Sequence, residues 1–525
     1  GKTDRNFKNF GGKDMKRKIV SVFLTAALAA SMLAGCGNSN SGSTKNSSTT
    51  SASGAEDTAS VLKDGKDTEI RIVFPGASAS PASLTEVEDG INKIISEKMD
   101  AHVKLDILEW GVFQEQENLM LSSGEDVDIV FLINNIATSA ASGQILDISQ
   151  YMDTYGKDAE EAMGQYIKAC YIGDALYGLP TYHEYATRGG LVCNADLFAE
   201  TGFTEEDVKT WDDVEKVLDK VKELHPDIDC LVPPESKSGM LKYYWGGTFD
   251  QIVSNMVGVY NDGSDGTTVH NIYDTDEFRE LAEKAYEWNQ KGYFISDANT
   301  ITETRQTFLK TGDAFGYIGL IHPGTKTQEM TNAGINITTL PITKQGCGTS
   351  SVACFQYSVA ASTDSPEKSV AVLNEIYSNA EIQNLLRYGI EGKDYEMKSE
   401  NVAGYPEGVD GSTAGWVNET WVTGNGSLAY AWETDPEDIW DEYKEYNDGA
   451  QFSPAYGFSY DSSNVKTEIT AVQNVLDKYT ATIYSGMSDP TTTVDTFNKE
   501  LESAGINVII EDVQKQLDDW SAAQK

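Results

Sequence analysis

Three consecutive side chains, Tyr182, His183 and Glu184, stand in the run "PTYHEYATR" and bring an aromatic face, an imidazole and a carboxylate to one place. Elsewhere indoles, amides and a second imidazole follow strand-like segments directly: Trp110 in "LEWGVF", Asn134 and Asn135 in "FLINNIA", His322 after "FGYIG". Trp245 in "YYWGG", and Trp416 and Trp421 in "AGWVNETWVTGNG", lie in segments rich in Gly and Asn and poor in helical periodicity. This set suits noncovalent recognition of a small polar molecule. Flat aromatic faces cover C–H patches, and amides, carboxylates and imidazoles hydrogen bond to hydroxyls; a sugar presents both kinds of surface. Covalent chemistry finds less support. His183-Glu184 begins like a zinc-protease helix, but position 187 is threonine. "GASAS", Gly76 to Ser80, misses the nucleophile elbow at its last residue. Hydrolysis of a glycosidic bond needs two carboxylates at a set separation, and among 82 acidic residues no motif marks a pair. A secreted glycoside hydrolase or lyase is therefore the alternative reading. "NDGSDG", Asn261 to Gly266, opens like a calcium loop, but its third position is Gly263 and its twelfth is Ile272, so it reads as a turn. No Walker loop and no CxxC occurs, and neither a metal nor a cofactor is expected.

The elements that must hold these residues alternate between two periods. "TEIRIVF" (68–74), "HVKLDIL" (102–108) and "VDIVFLI" (127–133) read as strands. Between them, Val87, Ile91, Ile94 and Ile95 recur at helical spacing, and "FQEQENLMLSSGE" is a helix stopped by Gly. "WDDVEKVLDKVKELHP" turns Val214, Val217, Leu218 and Val221 to one side, and "DEFRELAEKAYEWNQKGYF" is a further amphipathic helix ahead of Gly292. Two long helical patterns close the chain, the second running from Asp489 to Trp520. Alternating strands and helices imply parallel α/β packing.

Bulk properties narrow the partners. The chain has 525 residues and a net charge of −42; beyond residue 35 it carries 33 basic and 80 acidic side chains, net −47. Nucleic acid and anionic membrane surfaces would be repelled. Aromatics reach 10%, with 26 Tyr and 9 Trp. Six Cys are present; Cys347 and Cys354 flank "GTSSVA" and leave two readings open, a bridged pair or two buried thiols. There is no fixed-period repeat of the kind a surface adhesin shows.

The N-terminal region reads as a leader. Met15-Lys16-Arg17-Lys18 is a basic n-region, Ile19 to Leu33 is apolar and shorter than the roughly 20 residues of a membrane span, and "LAGC" resembles the lipobox of bacterial lipoproteins. That resemblance implies lipidation of Cys36 and location on the outer face of a cytoplasmic membrane, as in a Gram-positive bacterium. Residues 1–14 precede Met15 and read as translated upstream sequence. From Gly37 to about Lys66 the Ser, Thr, Asn and Gly composition reads as a flexible tether.

Several segments together resemble the family 1 extracellular solute-binding proteins. They are "IGDALYGLPTYHEYATRGGLVCNADLFAETGF" (172–203), "TWDDVEKVLDKV" with Trp211, "TFLKTGDAFGYIG" (307–319), and Asp128-Ile129-Val130. The tail from about Ser453 is similar to an extra C-terminal module of one lipoprotein subgroup. The resemblance implies two α/β lobes, each a mainly parallel sheet flanked by helices, with a hinge and a ligand cleft between them. The implied division is 67–182 and 352–400 in lobe 1, and 183–351 and 401–525 in lobe 2 with the C-terminal module. It further implies a monomeric binding protein that delivers a carbohydrate, an oligosaccharide above all, to the permease subunits of an ABC transporter; a peptide or other non-sugar solute is the second alternative. Trp110, Asn134, Asn135, Tyr182, His183, Glu184, Trp245, His322, Trp416 and Trp421 are the candidate ligand contacts.

Overall fold

The computed structural model describes residues 60–524. The expectations for residues 1–59, including lipidation of Cys36, lie outside the described residues. In chain order, the first lobe begins with β1 (Thr68–Gly76), α1 (Leu84–Lys98), β2 (Ala101–Glu109), α2 (Phe113–Ser123), β3 (Ile129–Ile133), α3 (Ile136–Ala141) and the short β4 (Leu179–Pro180). The second contains β5 (Gly189–Asn194), α4 (Trp211–Leu224), β6 (Asp229–Leu231), α5 (Asp276–Gln290), β7 (Ala314–Leu320) and β8 (Ile337–Pro341). The chain then returns as β9 (Phe355–Val359), and ends with α6 (Ile439–Asp448), α7 (Lys466–Tyr484), α8 (Pro490–Ala504) and α9 (Ile506–Ala523).

The local chemistry explains most of these elements. Val214, Val217, Leu218 and Val221 are all fully buried, and Thr210 and Asp213 form a reciprocal capping box ahead of α4. Asn194 caps the helix Ala195–Glu200 by accepting from the Asp196 and Leu197 N–H groups. "NDGSDG" lies in the connection between two antiparallel strands, Val257–Tyr260 and His270–Asn271. The five cysteines among the described residues are free; Cys347 and Cys354 are separated by the short helix Thr349–Ala353.

The first sheet has the order β2–β1–β3–β9–β4 and the second β8–β5–β7–β6. The expectation of mainly parallel sheets holds only in part. β1 is parallel to β2 and β3, but β9 runs antiparallel to β3, and β5 runs antiparallel to both neighbours. The cause is topological. A strand that arrives from the other lobe enters at the edge where β1, β2 and β3 leave, and so runs against them.

Residues 401–447 also depart from their expected place in lobe 2. Trp416, Val422 and Tyr446 are part of the lobe 1 core, and Ala403 and Ala429 pack with Tyr388 and Tyr395 in a small cluster of their own. The buried amide of Gln383 fixes this segment by donating to Thr423 O at 2.6 Å. From Ala455 onward the chain joins the lobe 2 core. The pattern read as one long helix is two, α8 and α9, broken at Gly505 with φ of 103°, where a Cβ would lie 2.9 Å from Glu468 Cγ.

Three chain passes connect the lobes, and they pair with one another. Thr187 bridges Gly346, and Gly346–Cys347 pair in parallel with Gln451–Phe452. Gly346 has no room for a side chain: a Cβ there would stand 2.2 Å from Gly247 O. Among the described residues no helix is long and apolar enough to cross a membrane.

Candidate functional site

β1, β2 and β3 end at the edge of lobe 1 where β9 begins, and an open α/β sheet places its ligand loops at such carboxyl ends. Trp110 follows β2 directly, and its N–H donates to Gly76 O at 3.2 Å. Its side chain is 40% exposed, a high value for an indole. The ring stands 5.3 Å from that of Trp421, which lies 4.3 Å from Phe355 and 6.2 Å from the buried Phe131. Phe355 opens β9 opposite Ile133. The series runs from core to solvent and ends in an indole supported on one side and open on the other. Trp421 is half-buried in a 3-10 turn that the Arg387 guanidinium holds through Thr420 Oγ1 at 2.8 Å.

Asn134 and Asn135 follow β3. Asn134 is exposed with φ of 56°, and its N–H donates to Cys354 O at 2.9 Å. Asn135 is half-buried and precedes α3. Beside this edge, a cavity of about 280 Å³ opens at the end of β1 between Gly76–Ser80 and Gly411–Asn418, over Phe74 and Ile107. "GASAS" therefore lines a recess. Sequence reasoning weighed that run only as an elbow, although a Gly/Ala/Ser tract leaving a strand at its carboxyl end was a usable signal.

The crossover places its three candidates differently. Tyr182 is buried edge-on to Tyr185 at 5.8 Å and Trp440 at 6.4 Å, and burial pushes its hydroxyl up to about 12. His183 is buried as well. Its ring nitrogens lie 2.8 Å from Thr181 O and 3.0 Å from Ser351 O, with Cys354 Sγ at 3.4 Å, and burial lowers its pKa. These contacts tie the crossover to the returning chain and leave its ring nitrogens occupied by the protein's own groups. Glu184 is half-exposed, and His322, reaching from the end of β7, approaches its Oε1 at 3.8 Å. This pair joins the crossover to lobe 2, and the hydrogen bond from Thr327 Oγ1 to Asp435 Oδ1 at 3.1 Å joins lobe 2 to the segment 401–447.

Two candidates are core. Trp245 is 8% exposed among Phe249, Tyr273 and Phe278 in lobe 2, with ring centroids 5.5 to 6.0 Å apart. Trp416 is 3% exposed and donates its indole N–H to Leu386 O at 2.9 Å, so it lies beneath the recess and presents no open stacking face. The structure thus brings Trp110, Trp421, Asn134 and Asn135 to one edge of lobe 1, and Glu184 and His322 together at the crossover. Sequence reasoning missed Phe355 and also Trp440, which lies on α6 5.4 Å from Tyr443 and donates to Ala429 O at 2.7 Å. The described residues contain no group of three or more His, Cys, Asp or Glu able to hold a metal ion.

Residues 81–317 match the model of the bacterial extracellular solute-binding protein family. This stretch of the chain is thus a bacterial extracellular solute-binding domain. Residues 454–522, which contain α7, α8 and most of α9, match a domain of unknown function (DUF3502). A carbohydrate ABC transporter substrate-binding protein of Streptococcus pneumoniae is 27% identical over 458 residues, covering 85% of this chain and 90% of its own. Among solved structures, the N-glycan transport solute-binding protein of Streptococcus pneumoniae superposes with a TM-score of 0.75 at 26% identity, over 87% of this chain and 100% of that one. The same protein in complex with Man5GlcNAc gives 0.62 at the same coverage and identity. The chain therefore shares its relatives' two-lobed fold over nearly all the described residues.

Proposed function

We propose that this solute-binding protein captures an oligosaccharide between its lobes and delivers it, as a monomer, to the permease of an ABC importer. The observation that carries the reading is the open indole of Trp110, backed by Trp421 and Phe355, on the edge of lobe 1. Asn134 and Asn135 at the same edge, with Glu184 and His322 at the crossover, would supply both donors and acceptors for sugar hydroxyls. The relatives at 26–27% identity are named as carbohydrate or N-glycan binding proteins, and this favours binding over hydrolysis. Mannose-containing N-glycans such as Man5GlcNAc are the natural first probes.

Thermal denaturation of residues 60–525 with a glycan panel tests the proposal. A ligand at about 100 times its dissociation constant stabilises the native state by about 2.7 kcal/mol, a readable rise in melting temperature. The reading fails if no glycan raises it, and fails differently if incubation releases new reducing ends, since a hydrolase would do that.

A lipid on Cys36 would hold the binder beside its transporter and raise its effective concentration there. The Cys36→Ser variant is expected to leave the membrane fraction while its soluble domain binds glycan unchanged. Retention of the variant on membranes would overturn the lipid anchor.

A further inference from the structure

Glu117 lies on α2 one turn after Phe113, whose ring meets Trp110 at 6.5 Å. It is 1% exposed. Oε2 accepts from Gln114 Nε2 at 2.7 Å, while Oε1 is buried with no partner. Asn135, within hydrogen-bonding reach on the loop after β3, has the same defect: its Oδ1 is buried and unpartnered. Each buried acceptor oxygen left unsatisfied is costly, and a buried carboxylate without a cation is more so. The charges on the strands packed against α2 are committed elsewhere. Arg71 pairs with Asp106 and Glu125, Lys104 with Glu88, and His102 with Asp67 and Glu69, while Glu109 is exposed at the end of β2.

One proton resolves both defects. Placed on Glu117 Oε1, it is donated to Asn135 Oδ1, and the Asn135 amide nitrogen is left to face the cleft as a donor. When Glu117 is charged, it accepts from that nitrogen instead, and the amide turns its oxygen outward. We propose that Glu117 is a positioning residue whose proton sets which end of the Asn135 amide meets the ligand, so that oligosaccharide binding is coupled to proton uptake. The proposal rests on the carbohydrate reading only for what Asn135 touches. A ligand seated over Trp110 would exclude water from the mouth of the site and further disfavour the charged carboxylate, which gives the coupling the same sign. Burial pushes Glu117 up to about 7, against the opposing hydrogen bond from Asn135, so the exchange falls within the working range of an external protein.

The experiment has two arms. In the absence of sugar, the side-chain amide resonance of Asn135, assigned by its loss in Asn135→Asp, is expected to titrate with a midpoint near neutrality in the wild type and to stay flat in Glu117→Gln. In calorimetry with Man5GlcNAc, the wild-type Kd is expected to rise about fivefold from pH 6 to pH 8.5 as the proton must be taken up against rising pH. Glu117→Gln, whose amide also donates, should keep the low-pH affinity throughout. An Asn135 resonance that ignores pH, or identical pH profiles of Kd in both proteins, overturns the proposal. If Man5GlcNAc and every other glycan fail to bind at any pH, the carbohydrate reading falls, and the amide titration still decides the pairing.

Discussion

Trp110→Ala is expected to weaken oligosaccharide binding about 30-fold and to leave the melting temperature of the unliganded protein nearly unchanged. The two effects separate because the residue is 40% exposed, outside the closed core: one side of the indole rests on its neighbours, and its open face is free for a ligand. Tryptophans at the centre of binding surfaces cost about 2 kcal/mol or more on truncation, and each 1.4 kcal/mol is a factor of ten in affinity. Trp421→Ala should weaken binding too, by removing the support, but it should also destabilise the protein, because that ring packs on Phe355 at 4.3 Å and on Phe131. Paired calorimetric titration and thermal melts of the two variants check this. Wild-type affinity in Trp110→Ala would remove the indole from the site.

The second large effect is expected far from the cleft. Phe497 on α8 is fully buried, with the rings of Tyr273, Tyr479 and Phe278 at 5.1, 5.2 and 6.0 Å. Phe497→Ala should cost about 3–5 kcal/mol, the usual penalty for emptying an aromatic site in a packed core. The loss should show as a lowered melting transition of lobe 2. Truncation after Ser462 should abolish folding of that lobe altogether, because Leu501, Ile506, Ile509, Val513 and Leu517 are also fully buried against it. If the C-terminal helices were an accessory on a finished lobe, the truncated chain would melt like the full one. The matched domain of unknown function is, in this protein, the second half of a core.

What could be read from the sequence was what short-range pattern decides. α4 was legible because Val214, Val217, Leu218 and Val221 repeat on one helical face, and β1 to β3 because their residues alternate or run apolar before a turn. The fate of single aromatics was not legible, because it is set by partners distant in sequence. Trp245 and Trp416 have the same kind of neighbours as Trp421, yet Leu386 O claims one indole N–H and the rings of lobe 2 enclose the other. His183 looked available until Ser351, 168 residues away, supplied a carbonyl. The recess at the end of β1 was invisible for the same reason: its walls come from residues near 80 and near 415, and Ser83 in this region bonds Asp394 across 311 residues. The tail beyond Ser453 is legible as helix from periodicity, but its role as core needs the partner surface of α5 and Trp245.

The three paired passes between the lobes also govern the order in which the molecule can form. Lobe 1 is incomplete until β9 and residues through α6 have been added, and lobe 2 is incomplete until α8 and α9 arrive. A chain emerging from its N-terminus cannot therefore finish one lobe and then begin the next, as multidomain chains commonly do. Both cores close late and nearly together, after long-range contacts have formed at high loop-closure cost. For most proteins such delay is a hazard; if the chain is exported unfolded, as the leader-like run Met15 to Cys36 implies, late closure would keep it in a transportable form.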